Sequence, residues 1–137
     1  EQFVCQVLHD LWNRRRFDVL RTAYARNVVA HVPPLLDLKG PNAYAGYVIA
    51  LLAMMSNAGL IIHHVCSIPD GRDGRKVAER WTLDVHPDGS GLLGHPTGRR
   101  MTLMGMSHYH VRGGRVVEEW TVFDELSLLV QLEMPTQ

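Results

Sequence analysis

The stretch MTLMGMSHYHVRGGRVVEEWTVF, residues 101–123, carries the clearest structural signal in the chain. Two runs rich in apolar residues, Met101–Val111 and Arg115–Phe123, flank a short segment that contains two glycines. Glycine tolerates the positive φ angles of a tight turn, so this pattern predicts an antiparallel β-hairpin around Arg112–Gly114.

The register of this hairpin depends on the length of its loop. We expect a three-residue loop with Gly114 in a left-handed bulge position, which pairs Val111 with Arg115 and Ser107 with Glu119. Side chains alternate between the two faces of a strand, so residues of one parity share a face. The odd face comprises Leu103, Ser107, Tyr109, Val117, Glu119, Thr121 and Phe123, and the even face comprises Met104, Met106, His108, His110, Glu118, Trp120 and Val122.

The rest of the chain supplies helices first and further strands afterwards. Apolar residues at helical spacing predict helices over Val4–Trp12, Phe17–Tyr24, Pro41–Met55 and Glu125–Leu132. Apolar runs that end at proline and glycine predict strands over Val28–Pro33, Leu60–Ile68 and Lys76–Val85. This order is typical of an α+β fold with helices on one face of a strongly curved, mainly antiparallel sheet. No linker or repeat divides the chain, so we expect residues 1–137 to form a single domain.

Composition restricts the classes of partner. Lys and Arg total 14, and Asp and Glu also total 14, so the formal net charge is zero. We therefore expect neither nucleic acid nor a membrane as a partner. The longest apolar stretch, Tyr47–Met55, is too short to span a bilayer. Cys5 and Cys66 cannot form a disulfide framework, and we expect both to be reduced thiols in a cytoplasmic protein.

Several short motifs together resemble one known family. They are Pro96-Thr97-Gly98-Arg99-Arg100, Gly113-Gly114-Arg115-Val116-Val117-Glu118, Trp120, Asp124 and Gln131-Leu132. In this combination the chain is similar to the SnoaL-like polyketide cyclases, which have the cone-shaped nuclear-transport-factor-2-like fold. The resemblance implies a small-molecule enzyme that cyclises or isomerises a hydrophobic, carbonyl-containing, polyketide-like substrate. Its superfamily also contains epoxide-hydrolase-like enzymes and proteins that only bind small molecules, so both remain alternatives.

The resemblance also implies which residues face the pocket. Family members carry a His where Ser107 stands and a catalytic Asp where Thr121 stands, which makes the odd face of the hairpin the inner face. The epoxide-hydrolase relatives carry an Arg-x-Asp that aligns with Arg80-Trp81-Thr82, which implies that Arg80 and Thr82 also point inward. A hydroxyl group cannot replace an aspartate as acid–base catalyst, so another carboxylate must take that role.

We therefore expect Glu119 to be the general base. Arg80 would pair with it, and His31 or Tyr109 would donate a hydrogen bond to the developing enolate. The alternative base is Asp124, although its position before an apolar run favours a helix cap. We expect the substrate to contact Tyr44, Tyr47, Ser107, Thr121 and Phe123. A structural Arg80–Glu119 ion pair without catalysis is the competing interpretation.

Three further expectations complete the prediction. His108 and His110 share the outer face without a third ligand, so we expect no metal, and we also expect no cofactor. The segment Gly94–Gly98 lacks the features of a phosphate-binding loop, and we place it near the rim of the pocket. An apolar outer sheet face predicts a homodimer that packs through Trp81, Leu83, Met104, Met106, Trp120 and Val122.

Overall fold

The computed structural model describes residues 1–55, 57–85 and 100–133, and the Gly94–Gly98 segment lies outside these ranges. The helices are α1 (Gln2–Leu8), which continues as a π-helical turn over His9–Asn13, α2 (Val19–Ala23), α3 (Pro41–Met54) and α4 (Glu125–Glu133). The strands are β1 (Tyr24–Val32), β2 (Leu36–Lys39), β3 (Gly59–Asp70), β4 (Gly74–Val85), β5 (Met101–Arg112) and β6 (Arg115–Phe123). Among the helices of the described ranges, none is both long enough and apolar enough to cross a bilayer.

The six strands form one sheet in the order β2-β1-β6-β5-β4-β3. The pair β1–β6 is parallel and the other four pairs are antiparallel. The predicted α+β class with a mainly antiparallel sheet is therefore confirmed. The sequence analysis missed the short strand β2, which pairs with the second half of β1.

Helix α3 lies over the inner face of the sheet. It begins after Gly40, whose φ of 85° is available to glycine at low cost, and Pro41 occupies the first turn. The side chains of Tyr44, Val48 and Leu52 recur at helical spacing and are buried in the core. The predicted bounds of this helix agree with the structure to within one residue at its end.

The register predicted for the hairpin is wrong, but the predicted faces of its central residues are correct. Gly113 and Gly114 have φ angles of 55° and 72°, as in a two-residue turn of type I′, and Arg112 pairs with Arg115. A bulge next to Val116 then shifts the pairing, so that Ser107 lies opposite Thr121 and not opposite Glu119.

Along the central part of the hairpin, the observed pairing differs from the predicted one by an even number of residues. Each side chain therefore stays on its predicted face. Leu103, Ser107, Tyr109 and Glu119 are buried on the inner face, whereas Met104 and Met106 are 56% and 57% exposed on the outer face. Because of the bulge, Val116 is the buried residue and Val117 is only half-buried, contrary to the expectation for Val117.

The predicted faces of strand β4 are wrong. Glu79 lies opposite Ser107 in the β4–β5 ladder, and Trp81 lies opposite Gly105. Because opposite residues share a face, Glu79, Trp81 and Leu83 point into the core, where they are 2%, 7% and 3% exposed. Arg80 is exposed and Thr82 lies beside it on the outer face, so neither lines the inner side of the sheet.

Gly105 makes room for the Trp81 indole on the neighbouring strand. A Cβ atom at position 105 would overlap the six-membered ring of that indole. We predict that Gly105→Ala displaces Trp81 and lowers the free energy of unfolding by about 1–3 kcal/mol, as overpacking of a core does. Urea denaturation measures this change.

The matched control is Gly46→Ala on the exposed side of α3, where an added Cβ meets no atom within 4 Å. Alanine is favoured over glycine inside a helix, so this variant should be more stable by up to about 1 kcal/mol. Equal stability of Gly105→Ala and the wild type would contradict the packing described for Trp81.

Candidate active site

Two glutamates are buried on the inner face of the sheet. Glu79 on β4 is 2% exposed and Glu119 on β6 is 0% exposed, and strand β5 lies between them. Within the described ranges, neither carboxylate takes part in an ion pair with Lys, Arg or His. The expected Arg80–Glu119 pair does not form, because Arg80 lies on the opposite face of the sheet.

Hydroxyl groups satisfy Glu119 instead of a cation. Tyr24 at the start of β1 donates a hydrogen bond to Oε2 at 2.7 Å. Tyr44 from α3 and Thr121 from β6 donate to Oε1 at 2.9 Å and 2.8 Å. Three donors to one carboxylate favour its ionised form, although burial still raises the pKa of Glu119 above its ordinary value.

A chain of hydrogen bonds fixes the direction in which these hydroxyls point. Since Thr121 gives its only proton to Glu119, it must accept from the Ser107 hydroxyl, which lies 2.8 Å away. Ser107 in turn accepts a hydrogen bond from the indole Nε1–H of Trp81 at 3.0 Å. All protons in this chain therefore point toward Glu119, and the two hydroxyls orient the carboxylate without titrating themselves.

Glu79 lies in a different environment. Tyr109 donates a hydrogen bond to its Oε1 at 2.9 Å, whereas its buried Oε2 has no hydrogen-bond partner in the structure. Burial raises the pKa of Glu79 to about 7, helped by repulsion from Glu119 and opposed by the Tyr109 hydrogen bond. This carboxyl group therefore exchanges its proton near neutral pH, where acid–base catalysts are most effective.

Both carboxylates line a small polar compartment below an apolar one. The inner compartment, of about 30 Å³, is also bordered by Ser107, Tyr109 and Thr121. The outer compartment, of about 60 Å³, is bordered by Tyr47, Leu51, Met55, Trp81, Phe123 and Leu128. Trp12, Tyr44, Trp81, Leu83 and Thr121 border both compartments, which are therefore adjacent.

The structure brings most of the residues predicted for the site together. Those that border the compartments are Glu119, Tyr109, Ser107, Thr121, Tyr44, Tyr47 and Phe123. Tyr109 binds Glu79 and not Glu119, and Tyr47 donates its hydroxyl proton to the carbonyl of Pro33 at 3.0 Å.

His31 was predicted to face the pocket, and this is wrong. The parallel pairing of β1 with β6 places Ala30 beside Glu119 on the inner face and His31 beside Trp120 on the outer face. The imidazole lies between Asp37 and Glu118, at 2.7 Å and 2.9 Å, and stacks on Trp120. Hydrogen bonds to Glu118 and to Asp37 raise the pKa of His31.

Asp124 is the N-cap of α4. It is exposed, and its Oδ1 accepts a hydrogen bond from the backbone N–H of Ser127 at 2.8 Å. The structure therefore agrees with the cap and gives Asp124 no place beside the buried carboxylates.

The two histidines of β5 lie on the outer face and have other partners. His108 stacks on Trp120, and His110 pairs with Asp70 at 2.7 Å. Within the described part of the chain, no three His, Cys, Asp or Glu side chains are grouped so that they could hold one metal ion.

The sequence analysis missed Glu79, Tyr24 and the role of Trp81. A signal for two of them was present in β4, where the apolar residues Val77, Trp81, Leu83 and Val85 all have odd numbers. This alternation predicts an inward-facing residue at position 79. The signal for Tyr24 was absent, because the predicted helix ended at this residue.

Comparisons with known proteins place these features in a family. The profile of the SnoaL-like polyketide cyclases matches residues 2–132. Comparison with curated proteins finds no match. IdmH from Streptomyces antibioticus, a proposed polyketide cyclase, superposes with a TM-score of 0.80 at 23% identity, over 95% of this chain and 96% of that protein.

Two further solved structures have the same architecture. AclR from Streptomyces galilaeus, a proposed hydroxylase, gives a TM-score of 0.78 at 21% identity, over 96% of this chain and 94% of its own. A nuclear-transport-factor-2-like protein of unknown function from Burkholderia pseudomallei K96243 gives a TM-score of 0.74 at 16% identity, over 97% of this chain and 96% of that protein. These similarities confirm the expected nuclear-transport-factor-2-like fold.

The raised pKa of Glu79 makes stability depend on pH. The carboxyl of Glu79 titrates at about 7 in the folded protein and near 4.5 when unfolded, so the folded state binds more protons between these values. Stability therefore falls as the pH rises through this interval. We predict that Glu79→Gln matches the wild type near pH 4 and exceeds it above neutral pH by up to about 3 kcal/mol.

Urea denaturation at a series of pH values measures the difference between the two proteins. Glu125→Gln, which removes an exposed carboxylate in the first turn of α4, should follow the wild-type pH profile. A constant difference between Glu79→Gln and the wild type from pH 4 to 9 would contradict the protonation assigned to Glu79.

Proposed function

The chain belongs to the SnoaL-like polyketide cyclase family, and we propose that it is an enzyme that cyclises or isomerises an uncharged, hydrophobic, carbonyl-containing substrate by acid–base catalysis. A polyketide-like substrate agrees with the family and with IdmH, a proposed polyketide cyclase of the same fold. The reaction needs a carboxylate that removes a proton next to a carbonyl group, and we assign this role to Glu119.

The observation that carries the proposal is the burial of two carboxylates on the inner face of the sheet, neither of which pairs with a cation among the described residues. A buried charge is costly even when hydrogen bonds satisfy it, and an apolar residue of similar size would usually be at least as stable. The structural ion pair that competed with catalysis in the sequence analysis is absent, since Arg80 is exposed on the outer face. Groups kept at such a cost are typical of active sites.

Glu119 has the chemistry of a general base. Its Oε1 accepts two hydrogen bonds and its Oε2 accepts one, so one lone pair of Oε2 stays available for a substrate proton. The Tyr24, Tyr44 and Thr121 hydroxyls hold the carboxylate in place, and its raised pKa makes it a stronger base than an exposed glutamate.

The lining of the pocket supports an uncharged ligand. The described residues that border the two compartments include no Lys, Arg or His. An anionic substrate would meet two carboxylates without a counter-charge, which is unfavourable at low dielectric constant. The apolar outer compartment fits the hydrophobic body of a ligand, and the polar inner one fits its carbonyl end. The outer compartment measures only about 60 Å³, so the ligand must be flat or must displace side chains that line it.

Exchange of carbon-bound protons tests the base without knowledge of the natural substrate. The probe is 1-indanone, a flat neutral ketone whose α-protons exchange with D₂O, and proton NMR follows their loss. We predict that the wild type accelerates the exchange, and that Glu119→Gln slows the catalysed exchange by roughly 10²- to 10⁴-fold.

Asp124→Asn is the matched control, because it also removes one carboxylate near the end of β6 and asparagine keeps the helix cap. It should exchange at the wild-type rate. If the wild type bound 1-indanone without any acceleration of exchange, the chain would be a binding protein of the same fold and not an enzyme.

We also propose a homodimer that packs through the outer face of the sheet. Met104, Met106, Trp120 and Val122 remain exposed there, whereas the expected contribution of Trp81 and Leu83 is wrong because both are buried in the core. An apolar patch of this kind favours association.

Charge complementarity supports a second copy of this chain as the occupant. Lys76 on β4 and Glu118 on β6 flank His110 of β5 in one row of the outer face. A two-fold axis along β5 would place β4 of one protomer opposite β6 of its partner, so that each Lys76 faces a Glu118. The same operation would place the small Ala78 opposite Trp120.

A charge near the proposed axis should separate the protomers. Met106 lies on β5 and is more than half exposed, so Met106→Glu would bring two like charges together in the interface. We predict a dimer for the wild type and a monomer for this variant by light scattering at micromolar concentration. Ile49→Glu on the exposed side of α3 should remain dimeric. A monomeric wild type would refute the proposal.

A further inference from the structure

We infer that Glu79 is a second catalytic residue, which donates its proton to the carbonyl oxygen of the substrate while Glu119 takes the proton from the adjacent carbon. This inference rests on the proposed function and divides the acid and base roles between two strands.

The placement of Glu79 supports this assignment. Its Oε2 is buried, has no hydrogen-bond partner among the described residues, and belongs to a carboxyl group that borders the inner compartment. That compartment, of about 30 Å³, has room for little more than one small polar group such as a carbonyl oxygen. A buried polar atom without a partner is costly, and a ligand that accepts its proton would remove the cost.

The other carboxyl oxygen of Glu79 is fixed in place. Tyr109 donates to Oε1 from the neighbouring strand β5, which leaves Oε2 to carry the acidic proton. Burial raises the pKa of the Tyr109 phenol well above its ordinary value, so this group stays a hydrogen-bond donor throughout the physiological pH range. The geometry therefore directs the acidic proton of Glu79 away from Tyr109.

The two glutamates accept different numbers of hydrogen bonds, and this difference gives them different protonation states. Glu119 accepts three hydrogen bonds and Glu79 accepts one, so Glu119 is the better stabilised as an anion. Once Glu119 is ionised, its negative charge disfavours a second charge on Glu79. Two neighbouring carboxyl groups in unequal environments in this way become one base and one acid.

The proposed proton transfers balance without any added reagent. The C–H bond next to the carbonyl breaks, its proton goes to Glu119, and its electron pair forms the C=C bond of an enol. The carbonyl oxygen takes the proton of Glu79, which becomes a carboxylate. For isomerisation the substrate is a β,γ-unsaturated ketone, so the enol is conjugated with a second C=C bond. The enol O–H returns its proton to Glu79, the C=O bond re-forms, the C=C bonds shift, and the γ-carbon takes the proton held by Glu119.

For cyclisation, the enol carbon attacks a second carbonyl group of the same substrate, and the enol electron pair forms the new C–C bond. The enol O–H again returns its proton to Glu79, and the new alkoxide takes the proton held by Glu119. Both glutamates finish in their starting states.

Five elements contribute titratable groups around Glu79. They are the Cys5 thiol of α1, Tyr109 of β5, Glu119 of β6 and, beyond Glu119, Tyr24 and Tyr44 of β1 and α3. Burial, with a smaller contribution from Glu79, raises the pKa of Cys5, so the thiol stays neutral near pH 7. A change in ligand binding around neutral pH therefore reports on the two glutamates.

Binding of 1-indanone as a function of pH tests the assignment. The indole N–H signals of Trp12 and Trp81, which border the compartments, report binding in a ¹H–¹⁵N NMR spectrum, and Trp120 on the outer face is an internal control. We expect the affinity of the wild type to fall by about tenfold between pH 6 and pH 8.5, because an ionised Glu79 repels the carbonyl oxygen. Indane, which lacks the carbonyl group, should bind equally at both pH values.

Three variants separate the contributions. Glu79→Gln keeps an N–H donor at every pH and should bind 1-indanone without pH dependence. Glu119→Gln removes the repelling charge, so Glu79 ionises more readily and the loss of affinity should remain but move to lower pH values. Tyr109→Phe removes the donor that stabilises ionised Glu79, so here the loss should move to higher pH.

The outcomes distinguish this inference from the proposed function. If wild-type affinity does not change with pH, or if Glu79→Gln keeps the wild-type pH dependence, the acid is not Glu79 and only this inference fails. If Tyr109→Phe leaves the midpoint unchanged, the assignment of Oε2 as the proton carrier is wrong. If neither Trp12 nor Trp81 responds to 1-indanone at any pH, the proposed ligand class is wrong and the inference falls with it.

Discussion

The carboxyl group of Glu119 is buried without a cation among the described residues, and this constraint shapes the site. Glu119 is 0% exposed, and the hydrogen bonds that stabilise it come from hydroxyl groups that the fold carries to this point. Tyr24 arrives from the α2–β1 junction, Tyr44 from the helix that covers the sheet, and Thr121 from β6 itself. The carboxylate therefore connects helix and sheet through hydrogen bonds, and its orientation depends on the packing of both.

The sequence alone predicts correctly which residues of some strands face the site and fails for other strands, for physical reasons. The hairpin faces were correct although its register was wrong, because an even shift in pairing leaves side-chain parity unchanged. The β4 faces were wrong because aligning Arg80 with a family motif introduced an odd offset, although the apolar alternation around Trp81 gave the right answer. His31 was misplaced because the face of β1 depends on its parallel pairing with β6, a contact between distant parts of the chain that local periodicity does not reveal.

Ser107 and Thr121 connect the indole on β4 to the buried carboxylate on β6. The resemblance implied a His and an Asp at these positions, but this chain has two hydroxyls, and both relay hydrogen bonds from the Trp81 indole to Glu119. Glu119 lies two residues before Thr121 on β6. Since residues two apart share a face, the carboxylate of Glu119 borders the same compartment as the Thr121 hydroxyl.

The bulge beside Val116 determines which residues of β6 face the pocket. Glu118 and Glu119 are adjacent, and so are Glu79 and Arg80, but only one member of each pair faces inward. A slip of β4 by one residue would place Arg80 in the core and expose Glu79. The pocket would then contain a buried cation in place of one of its two carboxylates. The bulge absorbs the residue between the glycine turn and Glu119, so the inward position of this carboxylate depends on backbone geometry several residues away. The chemistry of the pocket is thus determined by the turn as much as by the residues that line it.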